Sequence, residues 1–498
     1  MSAIDPTLIS SVRKLITSGG LAKAAPPSTF MQSSSPTTGL TNYDLEAAAK
    51  NLYPVLSPLR NIIPRVSGNG GTGPNFKTVT GIDTTNMFGG VSEGARAGVM
   101  SVSHADVYTA YKAIGLESSL TFEAELAAEG FDDLRARAAA SLLEASMIGE
   151  ERVILGGVGG SGGALGTCPT PVLVANASGG SIPTTTAVYV YCVALTSEGY
   201  LRTSSAGQVP NLVTRTNADG STTTFGGGNS NLSAVATVTT AAANSSVTAT
   251  LAAPPRNAVG YAWFVGAAAG TAYFYGYTAA AIITITSIPV SGQLASTVTA
   301  DFSVNNLIYD GLLSYAGQAG YGAIWNTAVS GQGLTADGAG GIVEFDNILK
   351  QFWDTLRLGP DTMQVSSQEM MMLRRKILQQ GSSASNARFT FLPNQGALVG
   401  SGMVKAYLNP FVMGGGPSEI KIELHPYLPP GTVLFMTSKL PYPMPNIANL
   451  MQIKLRRDYY QIDWPLTSRQ YQYGIYCDGV LQHYFPPSLG VLTNLSAV

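Results

Sequence analysis

Apolar and polar residues follow three rhythms along this chain, and each rhythm predicts a different kind of element. Over residues 121–153, Phe122, Leu126, Phe131, Leu134, Ala138, Leu142 and Ala145 form one apolar stripe, while Glu123, Glu125, Glu129, Asp132, Asp133, Arg135 and Arg137 lie mainly off it. The pattern predicts a single helix about 45–50 Å long, with acids crowding its start where the helix dipole favours them. A second helical face repeats through Ile342, Phe345, Leu349, Phe352 and Leu356. Ser366 and Glu369 make a capping-box pattern ahead of residues 370–378, with Gly381 as the stop. Residues 307–313 open a further apolar block, and the last hundred residues are mostly strand and turn text.

The second rhythm is that of short strands. Residues 187–195 are β-branched and aromatic and end at Ser197-Glu198-Gly199. Further strands are expected at 234–240, 246–251, 259–265, 272–277 and 282–288, separated by turn residues. Together they predict a β-sandwich, inserted into the chain because helical patterning resumes after it. The stretch 261–288 is the most membrane-like segment, yet Gly266, Gly270, Gly276 and a ladder of Thr and Tyr make it read as buried strands, not a spanning helix.

The third rhythm is extended text punctuated by Gly and Pro. Near the start, Leu8, Ile9, Val12, Leu15 and Ile16 give a short apolar pattern before Gly19-Gly20, Pro26, Pro27 and Pro36 break it. Such an arm has too little apolar surface to offset its ordering entropy, so it is either loose or laid on a partner. Beyond the proline-spaced stretch 54–64, strand-like text runs between Ser67-Gly-Asn-Gly-Gly-Thr-Gly-Pro74 and Phe88-Gly-Gly-Val-Ser-Glu-Gly94. This predicts a long two-stranded excursion, marginal alone in water and ordered by lying across a neighbour.

Composition sharpens the picture. The chain has 498 residues, enough for several cores, but only 12% are charged, where roughly a quarter is usual. Between residues 161 and 300 the charged side chains are Glu198, Arg202, Arg215, Asp219 and Arg256 alone. An undercharged surface favours self-association, which here suits extensive subunit contacts. The net charge of −2 gives no global support for a nucleic-acid binder, although Arg13, Lys14 and Lys23 against Asp5 make the arm locally basic. The start, Met1-Ser-Ala-Ile-Asp5-Pro6, lacks the pattern of a secretory leader. Cys168, Cys192 and Cys477 leave one thiol over in any pairing scheme, so a reduced compartment is expected.

Chemistry is sparse. His104-x-Asp106 mimics a base and its orienter, and Gly159-Gly160-Ser161-Gly162-Gly163 satisfies the nucleophile-elbow spacing, but these glycines read as a linker after a helix. No Gly-Lys-Ser or Gly-Lys-Thr closes the run as a phosphate loop, and no cysteine or histidine spacing suggests zinc. The acid pairs Glu150-Glu151 and Asp132-Asp133 are expected on a solvated helix face. Lys454-Leu-Arg456-Arg457-Asp458-Tyr459-Tyr460, followed by Trp464, fits either nucleic-acid contact or, as preferred, a strand with satisfied ion pairs at a subunit boundary. No catalytic, cofactor-binding or metal site is assigned, and no enzyme activity or cofactor is expected.

The order of these features resembles the major capsid protein of tailed bacteriophages. The resemblance is carried by Met147-Ile-Gly149-Glu-Glu-Arg-Val-Ile-Leu155 at the end of the helical pattern, by residues 306–313, and by Ile420-Lys-Ile-Glu-Leu-His425-Pro-Tyr-Leu-Pro-Pro-Gly431-Thr-Val-Leu-Phe435. It implies an α+β fold with an N-terminal arm over 1–60 and an extended β-hairpin loop with flanking strands over 61–115. A spine helix and the start of the capsid body follow over 116–166. Peripheral and axial domains occupy 301–498. Residues 167–300 resemble an inserted immunoglobulin-like or fibronectin-like domain, without the Cys-Trp-Cys arrangement of its disulfide-bonded form. The family's function implies pentamers and hexamers in an icosahedral shell enclosing double-stranded DNA through non-specific contacts. It also implies a separate scaffolding protein, a portal and a possible decoration protein as partners, no membrane, and a location in the virion after assembly in the host cytoplasm. Lys77 lies in the loop-like segment, but the lysine–asparagine cross-link of some relatives is not assigned. The rival reading is a β-domain binding module of an adhesin or phage tail component.

Overall fold

The computed structural model describes residues 55–68, 70–83, 85, 90–128, 133–338, 340–378, 404–412, 418–441, 447–466 and 468–497. The expected arm through residue 54, part of the glycine-bounded excursion and the helix stop at Gly381 lie outside them. The described residues mix helices and sheets, an α+β arrangement.

Two sheets organise the body. In the first, Arg65–Ser67 runs parallel to the long strand Met451–Asp463, which pairs antiparallel with Gln470–His483, and Lys112–Thr121 closes the far edge. The second has six strands in the order Ile324–Thr327, Gly490–Thr493, Val433–Met436, Thr362–Val365, Glu419–Leu424 and Ala406–Leu408. Its strands Val433–Met436 and Gly490–Thr493 are buried at every position, hence their continuous apolar text. The predicted stripe over 342–356 forms the helix Val343–Leu356, whose Phe345, Ile348, Leu349 and Phe352 pack with Met363, Val365, Phe435 and Leu492. A Cβ on Gly490 would sit 2.7 Å from the Phe352 ring, so only glycine lets strand and helix approach this closely. At the capping-box pattern, Ser366 takes up the cap. Ser366 accepts the Gln368 N–H at 3.2 Å and donates to the Glu369 carboxylate, opening the helix Ser367–Leu378.

The uncharged middle of the chain forms two facing sheets. One has the order Ile282–Ile285, Ser246–Thr250, Val172–Asn176, and the other Tyr273–Thr278, Gly260–Gly266, Ala187–Leu195, Ala236–Thr239. Val188, Val190, Cys192, Tyr261, Trp263 and Val265 from one sheet share a core with Val247, Ala249 and Ile285 from the other. The membrane-like stretch is thus strand text, and no helix among the described residues is long and apolar enough to cross a membrane. The sequence pattern missed the strand Val172–Asn176 and the hairpin Leu212–Thr216 with Thr222–Gly226. It also missed the short helix Ser197–Arg202, which Thr196 caps by accepting the Gly199 N–H at 3.2 Å.

Polar clamps join this sandwich to the body. The Arg256 guanidinium donates to the carbonyls of Ala316, Gly317 and Ala323 at 3.0–3.1 Å, at the C-terminal end of the helix Leu312–Gly317 where a cation is favoured. Asn257 donates to Gly163 O at 2.6 Å, and Arg152 makes a two-pronged ion pair with Glu198 at 2.9 and 3.0 Å. Asn494 accepts the Ala281 N–H and donates to Ala328 O at 2.7 Å.

The single helix expected over 121–153 is not continuous. Helices span Phe122–Ala128 and Leu134–Gly156, and Asp133 between them is non-helical. The sequence holds Gly130, Asp132 and Asp133 at this point, all poor in a helix interior. The longer piece spans about 35 Å. Its buried side chains gather in the C-terminal half at Leu142, Ser146, Glu150, Glu151, Ile154 and Leu155, whereas Leu126 and Ala145 of the expected stripe are exposed.

Candidate functional site

Two features of the described residues stand out: a hairpin that pairs with no other strand and a polar junction buried beside the core. The first is the hairpin Asn75–Asp83 with Ser101–Tyr108, whose strands bond only to each other among the described residues. At its root, Phe76 and Val107 face each other in register and are buried, with Phe76 set edge-on to Tyr484 at 5.6 Å between centroids. Below them, Tyr111 N–H donates to Thr72 O at 3.0 Å, and a Cβ on Gly73 would lie 2.5 Å from Thr109 O, so the root is as tight as backbone allows. Farther out the character reverses. Every described residue from 90 to 104 is exposed, including Val99 at 82%, Met100 at 63% and Val102 at 41%. A ribbon held at one end and presenting apolar side chains at the other is an incomplete structure by itself.

The second feature is a buried polar junction at the end of the long helix. Glu150 and Glu151 were expected on a solvated face; both are buried, at 2% and 0% exposure. Glu150 accepts from Arg60 Nε at 3.0 Å, Arg65 Nη1 at 2.8 Å and the Tyr459 hydroxyl at 2.6 Å. Glu151 accepts the backbone N–H groups of Leu59 and Arg60 at 2.9 and 2.7 Å, which are two of the orphan donors opening the short helix Pro58–Ile62. It also accepts from His425 Nε2 at 2.7 Å. The Tyr427 N–H points at His425 Nδ1, 3.2 Å away. Burial would lower the Arg65 guanidinium, but its bond to Asp458 at 2.6 Å and the charge of Glu150 hold it above its ordinary value. Burial and Glu150 together push the nearby Cys477 thiol up to about 12. The junction is a fastener, in which each carboxylate gathers donors from separate parts of the chain. Its effect is to tie the segment leading into the hairpin to the long helix and to strand Met451–Asp463.

The other sequence candidates fall apart in space. His104 and Asp106 share one exposed face of the hairpin, where Asp106 pairs with Lys77 at 3.6 Å. Ser161 is exposed and opens a single 3-10 turn, not a strand-to-helix elbow; the N–H groups of Gly159 and Gly160 before it donate to Asp310 at 2.9 and 3.1 Å. All three cysteines are buried free thiols, and no cluster of metal-ligating side chains occurs among the described residues. The basic stretch 454–460 lies in a strand with ion pairs Arg456–Asp478 at 2.7 Å and Asp458–Arg65 at 2.6 Å, which accounts for the strand and ion pairs of the preferred reading but not for its subunit boundary.

No protein-family profile matches the chain, and no curated protein does either. Among solved structures, similarity extends over most of the chain at very low identity. The capsid of an empty GTA particle is 8% identical over 91% of this chain and 94% of that one, with a TM-score of 0.43. A chain of the cyanophage P-SCSP1u capsid is 8% identical over 95% and 98%, with a TM-score of 0.39, and one of Mycobacterium phage Bobi is 11% identical over 94% and 96%, with a TM-score of 0.38.

Proposed function

We propose that this chain is a major capsid protein of a tailed bacteriophage, building pentamers and hexamers of an icosahedral shell around double-stranded DNA. The observation that carries this reading is the hairpin, clamped at its root and apolar and uncovered beyond it. Hairpins of this kind complete themselves on adjacent copies, and many such modest contacts sum to a stable shell. The segment order read from the sequence, arm, hairpin loop, long helix and α+β body, supports the same assignment. On this reading a scaffolding protein and a portal take part in assembly in the host cytoplasm, and a decoration protein is a further candidate partner.

The segment 167–300 is on this view an inserted immunoglobulin-like domain. Its pairs Val172–Asn176 with Ser246–Thr250 and Ala187–Leu195 with Gly260–Gly266 follow the B–E and C–F pairings of that fold, and Tyr273–Thr278 takes the place of strand G.

The test shortens the hairpin by joining residue 77 to residue 106 through a two-residue turn, leaving Phe76 and Val107 in place. The variant should fold, with unchanged far-ultraviolet circular dichroism, yet give no closed particles by negative-stain microscopy when any required scaffold is supplied. Normal particles from the shortened chain would refute the clamp. Trimers or fibres from the native chain would favour the adhesin or tail reading instead.

A further inference from the structure

Two adjoining hollows lie at the open end of the strand pair Met451–Asp463 and Gln470–His483, and both include Trp464 and Gln472 in their walls. The larger, about 900 Å³, is completed by Leu116, Glu117, Tyr476 and the hairpin tip with Arg215, Asn217 and Asp219. The smaller, about 270 Å³, adds Arg135, Asp463, Tyr471 and Tyr473. Trp464 is 42% exposed, a large share for this residue type, although its backbone N–H is fixed on Gln472 O at 2.9 Å.

The polar groups are oriented in advance. Glu117 accepts from the Tyr476 hydroxyl, Asp463 Oδ1 from Gln461 at 2.7 Å, and Asp219 Oδ1 from the Ser221 N–H and hydroxyl at 2.9 and 2.6 Å. Each carboxylate is thereby set through one oxygen and keeps its second for a ligand. Arg215 is steered by its Nε bond to Asn217 at 3.1 Å.

Three carboxylates face two guanidinium groups here, so no positive excess exists to hold a polyanion. A purely apolar ligand would strand the polar rim. A proline-rich peptide presents carbonyl acceptors and few donors, which leaves carboxylates unanswered. The occupant that fits has a flat C–H face and a rim of hydroxyls that both donate and accept. We propose that this double hollow is a saccharide-binding site, in which Trp464 stacks on a pyranose ring and Asp219, Asp463 and Gln472 take its hydroxyls. The inference stands apart from the assembly reading, since it concerns the single chain.

The full-length chain is titrated with maltotetraose, chitotetraose and sialyllactose while tryptophan fluorescence is followed. At least one should give a saturable shift in the millimolar range. Trp464→Ala should abolish binding read by calorimetry, and Asp219→Ala on the exposed hairpin tip should weaken it about tenfold with thermal unfolding unchanged. Absence of a saturable response to all three sugars overturns the proposal, as does undiminished binding by Asp219→Ala. Saturable binding of a peptide of residues 24–36 without any saccharide response overturns it in favour of peptide recognition.

Discussion

Glu151 performs for a helix it does not belong to the task usually left to the residue before that helix. Ser57 precedes Pro58–Ile62 but makes no side-chain cap, and the carboxylate of Glu151, more than ninety residues away in sequence, takes the two free N–H groups instead. Truncation by Glu151→Ala leaves those donors and His425 unanswered in a buried place. It should cost about 3–5 kcal/mol in denaturant unfolding, and Glu151→Gln, which keeps an acceptor, should cost clearly less. Nothing in the local sequence marks this pair as buried, because the donors come from positions 59, 60, 65, 425 and 459. Helical periodicity sees only neighbours on one helix, so it assigned both acids to solvent.

Glu369 was legible as a capping residue, but its environment was not. Besides Ser366, it accepts the Gly431 N–H at 2.7 Å in a buried setting, and burial raises its carboxyl above the ordinary value despite these bonds. The folded chain therefore holds this proton more tightly than the unfolded chain. The group's contribution is full at acid pH and is lost as pH rises through the raised value. Glu369→Gln should accordingly gain on the native chain as pH climbs from the acid side to neutrality, measured as the difference in unfolding free energy across that range. A difference that stays flat with pH would show that the carboxyl is not perturbed.

Among the elements, those with strong single-sided patterns were readable. The helix Val343–Leu356 and the strands Ala187–Leu195 and Ser246–Thr250 fall within a residue or so of where periodicity put them. Elements built from Thr, Asn and Gly escaped, notably Leu212–Thr216 with Thr222–Gly226, because partners and turns define them more than side-chain alternation does. The long helix failed in the opposite way: a stripe of apolar residues ran on across Gly130 and the paired aspartates, and a stripe alone does not register a break. The hairpin was foreseen as an excursion, while its rooted base was not, since Phe76 meets Tyr484 some four hundred residues away. That contact sets a prediction. Phe76→Ala should lower hydrogen-exchange protection of amides in Asn75–Asp83 and Ser101–Tyr108 while leaving Met451–Asp463 protected. Loss of protection across the whole chain would mean that the root is part of the main core instead.

For the whole molecule, sparse charge and uncovered apolar hairpin positions are the observations on which the proposed assembly rests. The sandwich extends this argument differently. Arg256 rests on three carbonyls of the body, Asn494 and Asn257 tie further backbone, and Arg152 grips Glu198, so the module has several fixed points where a tethered domain would have one. On the proposed assembly reading, averaged images of a particle should show the module's strands as sharp as those of the body. A lobe on a slack linker would blur into a halo. Replacing Arg256 and Arg152 together by Ala should produce that blurring while the body stays crisp, turning a stiff module into a swinging one.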